Sequence, residues 1–277
     1  MDLKENLISA KLIGGLGNQL FAAANAIAQG LKHNRKVVFL PQSHTPGQGN
    51  GAENYLNNVF RNLKFVDSLE NFKIKQENSF NYSGVNPHQT NTIFTGYYQS
   101  TKNWFGFENE IRNIFLPPKD LVDFFHKKYP ELGQENTLSL HVRRSEYLVY
   151  PRIHPTISKE YINKALEIIG NYSSVFVFSD DHDWVNQHLN LKNKILVNEQ
   201  YDWQELYLMG LCKNHIMSNS TFSWWGTFLN ENKNKKIIVP SVWFGPDGPN
   251  GSDIYEDYWS LIPCKWIDGG SIVPLDK

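Results

Sequence analysis

The stretch TLSLHVRRSEY, residues 137–147, sets Leu138, Leu140 and Val142 at alternate positions and ends with His141, Arg143, Arg144 and Glu146. Such alternation is the pattern of a half-buried strand, so both guanidinium groups fall at a strand end, where open α/β sheets bind ligands. Guanidinium forks match phosphate oxygens bidentately. They match carboxylates equally well, so an ion pair within the chain competes with phosphate for Arg143. A second stretch, SNSTFSWWGTFLN (218–230), puts Asn219, Ser220 and Thr221 immediately before an apolar helix. Hydroxyls beside the free amides of a helix N-terminus make an anion site, or else an ordinary N-cap. Two phosphate-suited groups at neighbouring strand ends favour the anion assignment for both. A third stretch, SDDHD (179–183), offers Asp181 and Asp183 as a carboxylate pair for a divalent ion against a diphosphate. Helix capping by Asp180 or Asp181 ahead of WVNQHL is the preferred assignment, with no metal site expected.

The stretch LIGGLGNQLF (12–21) resembles a glycine-rich phosphate turn but lacks its essential parts. A dinucleotide turn needs three spaced glycines; Gly15 and Gly17 are present and Leu20 fills the third place. No Lys-Ser or Lys-Thr pair follows, so the lysine of a P-loop is missing too. What remains is Asn18 and Gln19 on a tight turn. From the residues alone, a capped strand-to-helix turn with Asn18 as N-cap is the simpler assignment.

These residues need a scaffold that brings strand ends together. From Thr137 onward, short apolar runs alternate with amphipathic segments, the sign of βα units and a parallel sheet. Strands are expected at TLSLHVR, SVFVFS, KILVN, HIMS and KIIVP, with helices around 160–169, 183–189, 203–212 and 222–230. The N-terminal part is less regular. It offers a strand, the turn and a helix in which Leu20, Ala24, Ile27, Ala28 and Leu31 recur at helical spacing. A strand KVVFL, a polar segment from Gln42 to Asn54, a strand in NTIFTGYYQS and a helix in FENEIRNIF follow. Pro117 and Pro118 mark a lobe boundary, since the residue before a proline is pushed out of the helical region.

Composition removes several function classes. The 27 basic and 28 acidic residues leave a net charge of −1, which points to neither nucleic acid nor an anionic membrane as partner. No run reaches transmembrane length, and MDLKENLISAKLI is too charged for a signal peptide, so a cytoplasmic protein is expected. Cys212 and Cys264 show no metal spacing and are taken as reduced packing residues. The eight Trp exceed what a core requires, and aromatic faces suit the apolar sides of sugar rings and bases.

Taken together, GGLGNQLF, HVRRSEY, FSDD and SNSTFSWWGTFLN, with GYYQS, HPTISKEYI and LYLMGLCKNHIMSNS between them, resemble the alpha-1,2-fucosyltransferases, glycosyltransferase family 11. The resemblance runs from about Lys11 to Phe244. It implies an α/β, GT-B-like fold of two Rossmann-like lobes, with the more regular parallel sheet in the C-terminal half. Residues 1–118 would form the acceptor-side lobe bearing the GGLGNQ loop, and 119–277 the lobe that binds the nucleotide sugar. It also implies GDP-L-fucose as donor, a galactose-terminated glycan as acceptor, inversion at the anomeric carbon and no metal cofactor. The first arginine of the His-x-Arg-Arg pattern, Arg143, falls on the donor diphosphate. Members of the family commonly carry Asp where this chain has Glu146, one methylene longer.

The expected catalytic residues are Arg143, Asn18, Glu146 and His154, the last two as candidates for the general base. Gly17, Gln19, His141, Arg144, Asp180, Glu205, Asn219, Ser220 and Thr221 are expected to hold the donor, with Glu205 ahead of Asp180 as acceptor for the two donors on guanine's edge. Two rivals stand beside this assignment: a metal-dependent transferase using Asp181 and Asp183, and a glycan-binding module without catalysis. The loops 42–54 and 245–253 are expected to shape acceptor access.

Overall fold

The computed structural model describes residues 6–42 and 49–275, which divide into two compact units. The first runs to Leu116 and takes in Gly251–Tyr255; the second holds Pro117–Asn250 and resumes at Glu256. The return of Gly251–Tyr255 departs from the simple boundary expected after Pro118. Asp253 accounts for it, accepting from the Tyr82 amide at 2.9 Å and from Lys102 Nζ at 2.7 Å. Within the 42–54 loop, residues 43–48 lie outside the described residues.

The first unit holds strand β1 (Ile8–Ala10), helix α1 (Leu16–His33), strands β2 (Lys73–Gln76) and β3 (Thr92–Thr95), and helix α2 (Glu108–Phe115). Its sheet is parallel in the order β1-β3-β2. The strand expected at KVVFL is reduced to single bridges, Ile8 to Val37 and Phe39 to Phe65. β2 was not foreseen, because its residues KIKQ are mostly exposed and show no apolar face. α1 is buried over nearly its whole length, from Leu16 to Gly30, with the polar Gln19, Asn25 and Gln29 buried along with its apolar face. Only Leu31, expected on the buried face, is 47% exposed. The N-cap is Gly15, not Asn18, which sits inside the first turn. Gly14 precedes it at φ +76°, where a Cβ would lie 2.6 Å from Asn18 Nδ2, so glycine is required there.

The second unit opens with helix α3 (Lys119–Lys128) and continues with β4 (Leu138–Val142), β5 (Thr156–Ile157), α4 (Lys159–Ile169), β6 (Val175–Ser179) and α5 (His182–His188). Then come β7 (Lys194–Leu196), α6 (Asp202–Leu211), β8 (Asn214–Ile216), α7 (Thr221–Leu229), β9 (Ile237–Pro240), β10 (Ser260–Ile262), β11 (Cys264–Ile267) and β12 (Ser271–Pro274). Six strands form a parallel sheet in the order β10-β9-β8-β4-β6-β7. The five expected strands are all in it, and β10 is added at one edge. A small sheet of β11, β12 and β5 lies outside that expectation. From β4 the chain builds outward through β6 and β7, then returns to place β8, β9 and β10 on the other side. Sheets of this kind bind ligands at such a reversal.

The alternation of β4 divides its neighbours by chemistry. Leu138, Leu140 and Val142 pack with Tyr161, Ile162, Ala165 and Ile169 of α4 in one apolar cluster, each buried aliphatic side chain contributing roughly 1.5–3 kcal/mol. The intervening Ser139 and His141 are buried polar residues with polar partners: Ser139 Oγ meets His215 Nδ1 at 2.7 Å, and Ser218 Oγ meets His141 Nδ1 at 2.8 Å. Both cysteines are free and buried. Among the described residues, no helix is long and apolar enough to cross a membrane.

Candidate active site

Arg143 and Arg144 leave the end of β4 in different directions. Arg143 pairs with Glu146 Oε1 at 2.8 Å and with Asp180 Oδ2 at 3.1 Å, and its side chain stays 31% exposed. It is held in place yet open to solvent, as an anion-binding guanidinium must be. Arg144 is spoken for: its Nε binds Asp181 Oδ2 at 3.0 Å, and its guanidinium lies 4.3 Å from the centre of the Trp184 ring. Its amide donates to Asp180 Oδ1 at 2.8 Å. Asp180 therefore ties the end of β6 to the end of β4 and orients Arg143. Asp181 caps α5 by accepting from the Trp184 amide at 3.0 Å, the role preferred for it from sequence.

The third strand end, after β8, supplies the turn into α7. Ser220 is the N-cap and accepts from the Phe222 amide at 3.3 Å, while Thr221 opens the helix. Asn219 is buried and donates its side-chain amide to Pro155 O at 3.0 Å and Trp243 O at 2.8 Å, fastening two loops beside the turn. His141 reaches the same turn through Ser218 and packs against the Phe222 ring at 5.6 Å. Burial, reinforced by the Arg143 charge, holds His141 neutral, so it acts as a fixed dipole within the turn rather than a cation facing phosphate.

Tyr147 had no role assigned from sequence, although it lies inside HVRRSEY. Its ring sits 5.9 Å from the Arg143 guanidinium and stacks on His154 at 5.1 Å, and its hydroxyl donates to Asn219 O at 2.9 Å. Burial pushes that hydroxyl up to about 12, so it remains a donor. Tyr147 is thus the piece that joins Arg143, His154 and the α7 turn. Burial lowers His154 below its ordinary value despite the opposing pull of Glu146, which leaves its imidazole neutral and able to accept a proton.

Beside these residues is a cavity of about 440 Å³, formed by residues 179–183 at the end of β6 together with Asn198 and Glu205. Its size suits a small ligand or one end of a larger one. Its lining is acidic, so it suits hydrogen-bond donors rather than phosphate. Asp180 and Asp181 already have donors, as described above. Glu205 is pushed up to about 7 by burial and by the nearby Glu199 and Asp202, against one hydrogen bond from the Glu199 amide. A carboxylate so disfavoured in its charged form has much to gain from a ligand that donates to it.

The first unit carries the remaining expected residues. Gly17 is buried in the first turn of α1, and Asn18 there accepts from Gln99 Nε2 at 3.0 Å while staying partly exposed. Gln19, expected to face the donor, is fully buried and donates to Gly14 O and Asn50 O, both at 2.8 Å. It staples two loops.

The chain belongs to glycosyl transferase family 11, whose sequence profile matches residues 51–262; it is a glycosyltransferase. It is similar to the O-antigen biosynthesis glycosyltransferase WbnK of Escherichia coli, at 31% identity over 73% of this chain and 67% of the relative. It is also similar to an alpha-1,2-colitosyltransferase of Escherichia coli, at 25% identity over 93% of this chain and 99% of the relative. A galactoside 2-alpha-L-fucosyltransferase of Caenorhabditis elegans matches at 26% identity over 50% of this chain and 42% of the relative. Among solved structures, the NodZ alpha-1,6-fucosyltransferase soaked with GDP-fucose superposes with a TM-score of 0.52 at 15% identity, over 82% of this chain and 93% of that one. That likeness bears on the fold, which is GT-B.

Proposed function

We propose that this glycosyltransferase moves L-fucose from GDP-L-fucose to the 2-hydroxyl of a galactose-terminated acceptor, with inversion at the anomeric carbon. The carrying observation is the trio of strand ends around the reversal at β4: Arg143 after β4, the acid-lined cavity after β6 and the Ser220-capped turn after β8. Guanine, with two donors on one edge, fits Glu205 in the cavity. The diphosphate falls to Arg143 and the α7 turn.

In the reaction, an oxygen of the acceptor attacks the anomeric carbon from the face opposite GDP, and the bond from that carbon to the diphosphate oxygen breaks. The bonding pair leaves with the diphosphate. Arg143 and the hydroxyls of Ser220 and Thr221 at the start of α7 stabilise the charge that grows there, in place before the reaction begins. Glu146, paired with Arg143, orients the guanidinium. His154 is the better base of the two candidates, being neutral and stacked on Tyr147 beside Arg143. The metal-dependent rival is disfavoured because Asp181 gives one oxygen to the Trp184 amide and the other to Arg144. The binding-module rival gives no reason for an acid-lined cavity at the strand end next to that of Arg143.

The likeness to an alpha-1,2-colitosyltransferase over nearly its whole length favours a second donor, GDP-colitose, whose sugar is fucose without its 3-hydroxyl. The test is incubation with each GDP-sugar and a panel of galactosides and other glycosides, followed by linkage analysis. Release of GDP with a 2-O-fucosylated galactoside supports the proposal. Transfer from GDP-colitose alone replaces the donor, a different linkage replaces the acceptor position, and no transfer from either overturns it.

A further inference from the structure

Away from Arg143, the second unit buries a cluster for which the reaction described above has no use. Tyr129, just past the end of α3, donates its hydroxyl to Glu199 Oε1 at 2.5 Å, and Lys128 donates to both carboxylate oxygens of Glu199 at 2.8 Å. The Glu199 side chain is only 3% exposed. The Tyr129 ring is itself anchored edge-on to Phe176 of β6, centroids 5.6 Å apart. Burial, with the Glu199 carboxylate beside it, pushes the Tyr129 phenol well above its ordinary value, so it remains a donor. The backbone amide of Glu199 in turn donates to Glu205 Oε1 at 3.3 Å. A chain of contacts thus runs from the central sheet through α3 to the acidic cavity.

The charges around Glu205 come from each neighbouring element: Glu199 from the loop after β7, Asp202 from the start of α6, Asp180, Asp181, His182 and Asp183 across the cavity, and Lys128 behind Glu199. Asp180 and Asp181 are matched by Arg143 and Arg144. Glu199 is the neighbouring residue with the largest influence, holding Glu205 in place by its amide while its like-charged carboxylate opposes ionisation.

We propose that Glu199, clamped by Lys128 and Tyr129, is a positioning residue for Glu205 that sets how well Glu205 receives the guanine of the donor. This rests on Glu205 reading guanine, as proposed above. An ionised Glu205 accepts from both guanine donors, whereas the protonated acid presents a donor of its own. Its midpoint near 7 therefore makes nucleotide affinity rise with pH through that value. The same burial acts on folding in the opposite sense: stability falls as pH rises from the ordinary carboxylate range to about 7.

The test is the dissociation constant of GDP-fucose without acceptor, measured from pH 5.5 to 8.5, a range in which the nucleotide sugar's diphosphate does not titrate. Glu199→Gln keeps an acceptor for Tyr129 but removes the charge; the midpoint should fall by about one unit, giving roughly fivefold tighter binding at pH 6. Lys128→Met, at a side chain 40% exposed, removes the neutralising cation and should raise the midpoint by about a few tenths of a unit. Opposite shifts of one midpoint are not what loss of structure produces. Glu205→Gln separates the two levels. If it binds GDP-fucose as tightly as the wild type, the guanine assignment fails and this inference with it. If it binds weakly while both other variants keep the wild-type midpoint, this inference alone fails.

Discussion

The molecule contains two strand-to-helix turns built from the same residue types, one leading into α1 and one into α7, and they differ in what surrounds them. The α1 turn has Gly15 as N-cap with no side-chain bond, and its amides, Asn18 and Gln19, lie inside the helix. The α7 turn has a capping Ser220, with Asn219 ahead of it. In each, one amide is turned inward as a staple: Gln19 to Gly14 and Asn50, Asn219 to Pro155 and Trp243. A helix N-terminus with amides beside it is therefore not enough to identify a phosphate site. The α7 turn differs in standing at the strand end next to that of Arg143, joined to it through Tyr147. The α1 turn differs in leaving Asn18 partly exposed as the side chain that substitution can question.

The largest expected effect is at the α7 side of this comparison. Arg143→Ala should lower turnover by roughly two to three orders of magnitude, the scale for losing one preorganised charge-stabilising group. Arg143→Lys should recover little, because a point charge does not reproduce the fork. Steady-state rates and GDP affinity check both variants. Near-normal values for Arg143→Ala would remove what distinguishes the α7 turn from the α1 turn.

Next is Asn18→Asp. An aspartate can still accept from Gln99, and α1 has no acidic residue in its first turn, so the new charge should favour the helix dipole and leave the melting temperature unchanged or slightly raised. If Asn18 meets the donor, the same charge opposes a diphosphate, and activity should fall roughly ten- to hundredfold. Asn18→Ser, which adds no charge, should lose less. Equal activity in wild type and Asn18→Asp would make the α1 turn purely structural.

Its neighbour Gln19 should behave in the opposite way. Gln19→Ala removes the buried side-chain donor that ties Gly14 O to Asn50 O and should cost about 1–3 kcal/mol, seen as a fall of several degrees in the thermal midpoint. The specific activity of the folded fraction should stay close to wild type. A variant with normal stability and lost activity would return Gln19 to the donor-binding role expected for it from sequence.

The inward turn of Gln19 shows where sequence stopped being legible. The strands of the large sheet were readable because β4 alternates apolar with polar residues and β6 is an apolar run, each bounded by a polar turn, and the ends of β4, β6 and β8 pointed directly to Arg143, Asp180 and Ser220. β10, β11 and β12 were not, since three- and four-residue strands broken by Pro263 and by Gly269 and Gly270 leave no run long enough to count. KVVFL reads as a strand by composition, but each of its bridges finds a single partner residue. Side-chain direction was the least legible feature. Asn18 and Gln19 are adjacent and chemically alike, yet one reaches the surface and the other the interior. The Tyr129 contact with Glu199 spans 70 positions, a distance over which no local pattern operates.

The smallest expected effect is none at all. Asp181 and Asp183 flank His182 with the spacing of a metal-binding pair, and a metal there would give the end of β6 the charge-stabilising role assigned to Arg143 and the α7 turn. The Trp184 amide and Arg144 hold the Asp181 carboxyl below the usual carboxylate range, and a cation would have to displace both donors to use its two oxygens. Arg144 would then lose its anion while still lying on Trp184. Exhaustive dialysis against chelator should therefore leave the initial rate of fucosyl transfer unchanged. Loss of activity in chelator, with restoration by manganese or magnesium, would make the carboxylates rather than the guanidinium the partner of the diphosphate, and Asp183→Asn would then be expected to abolish the restoration.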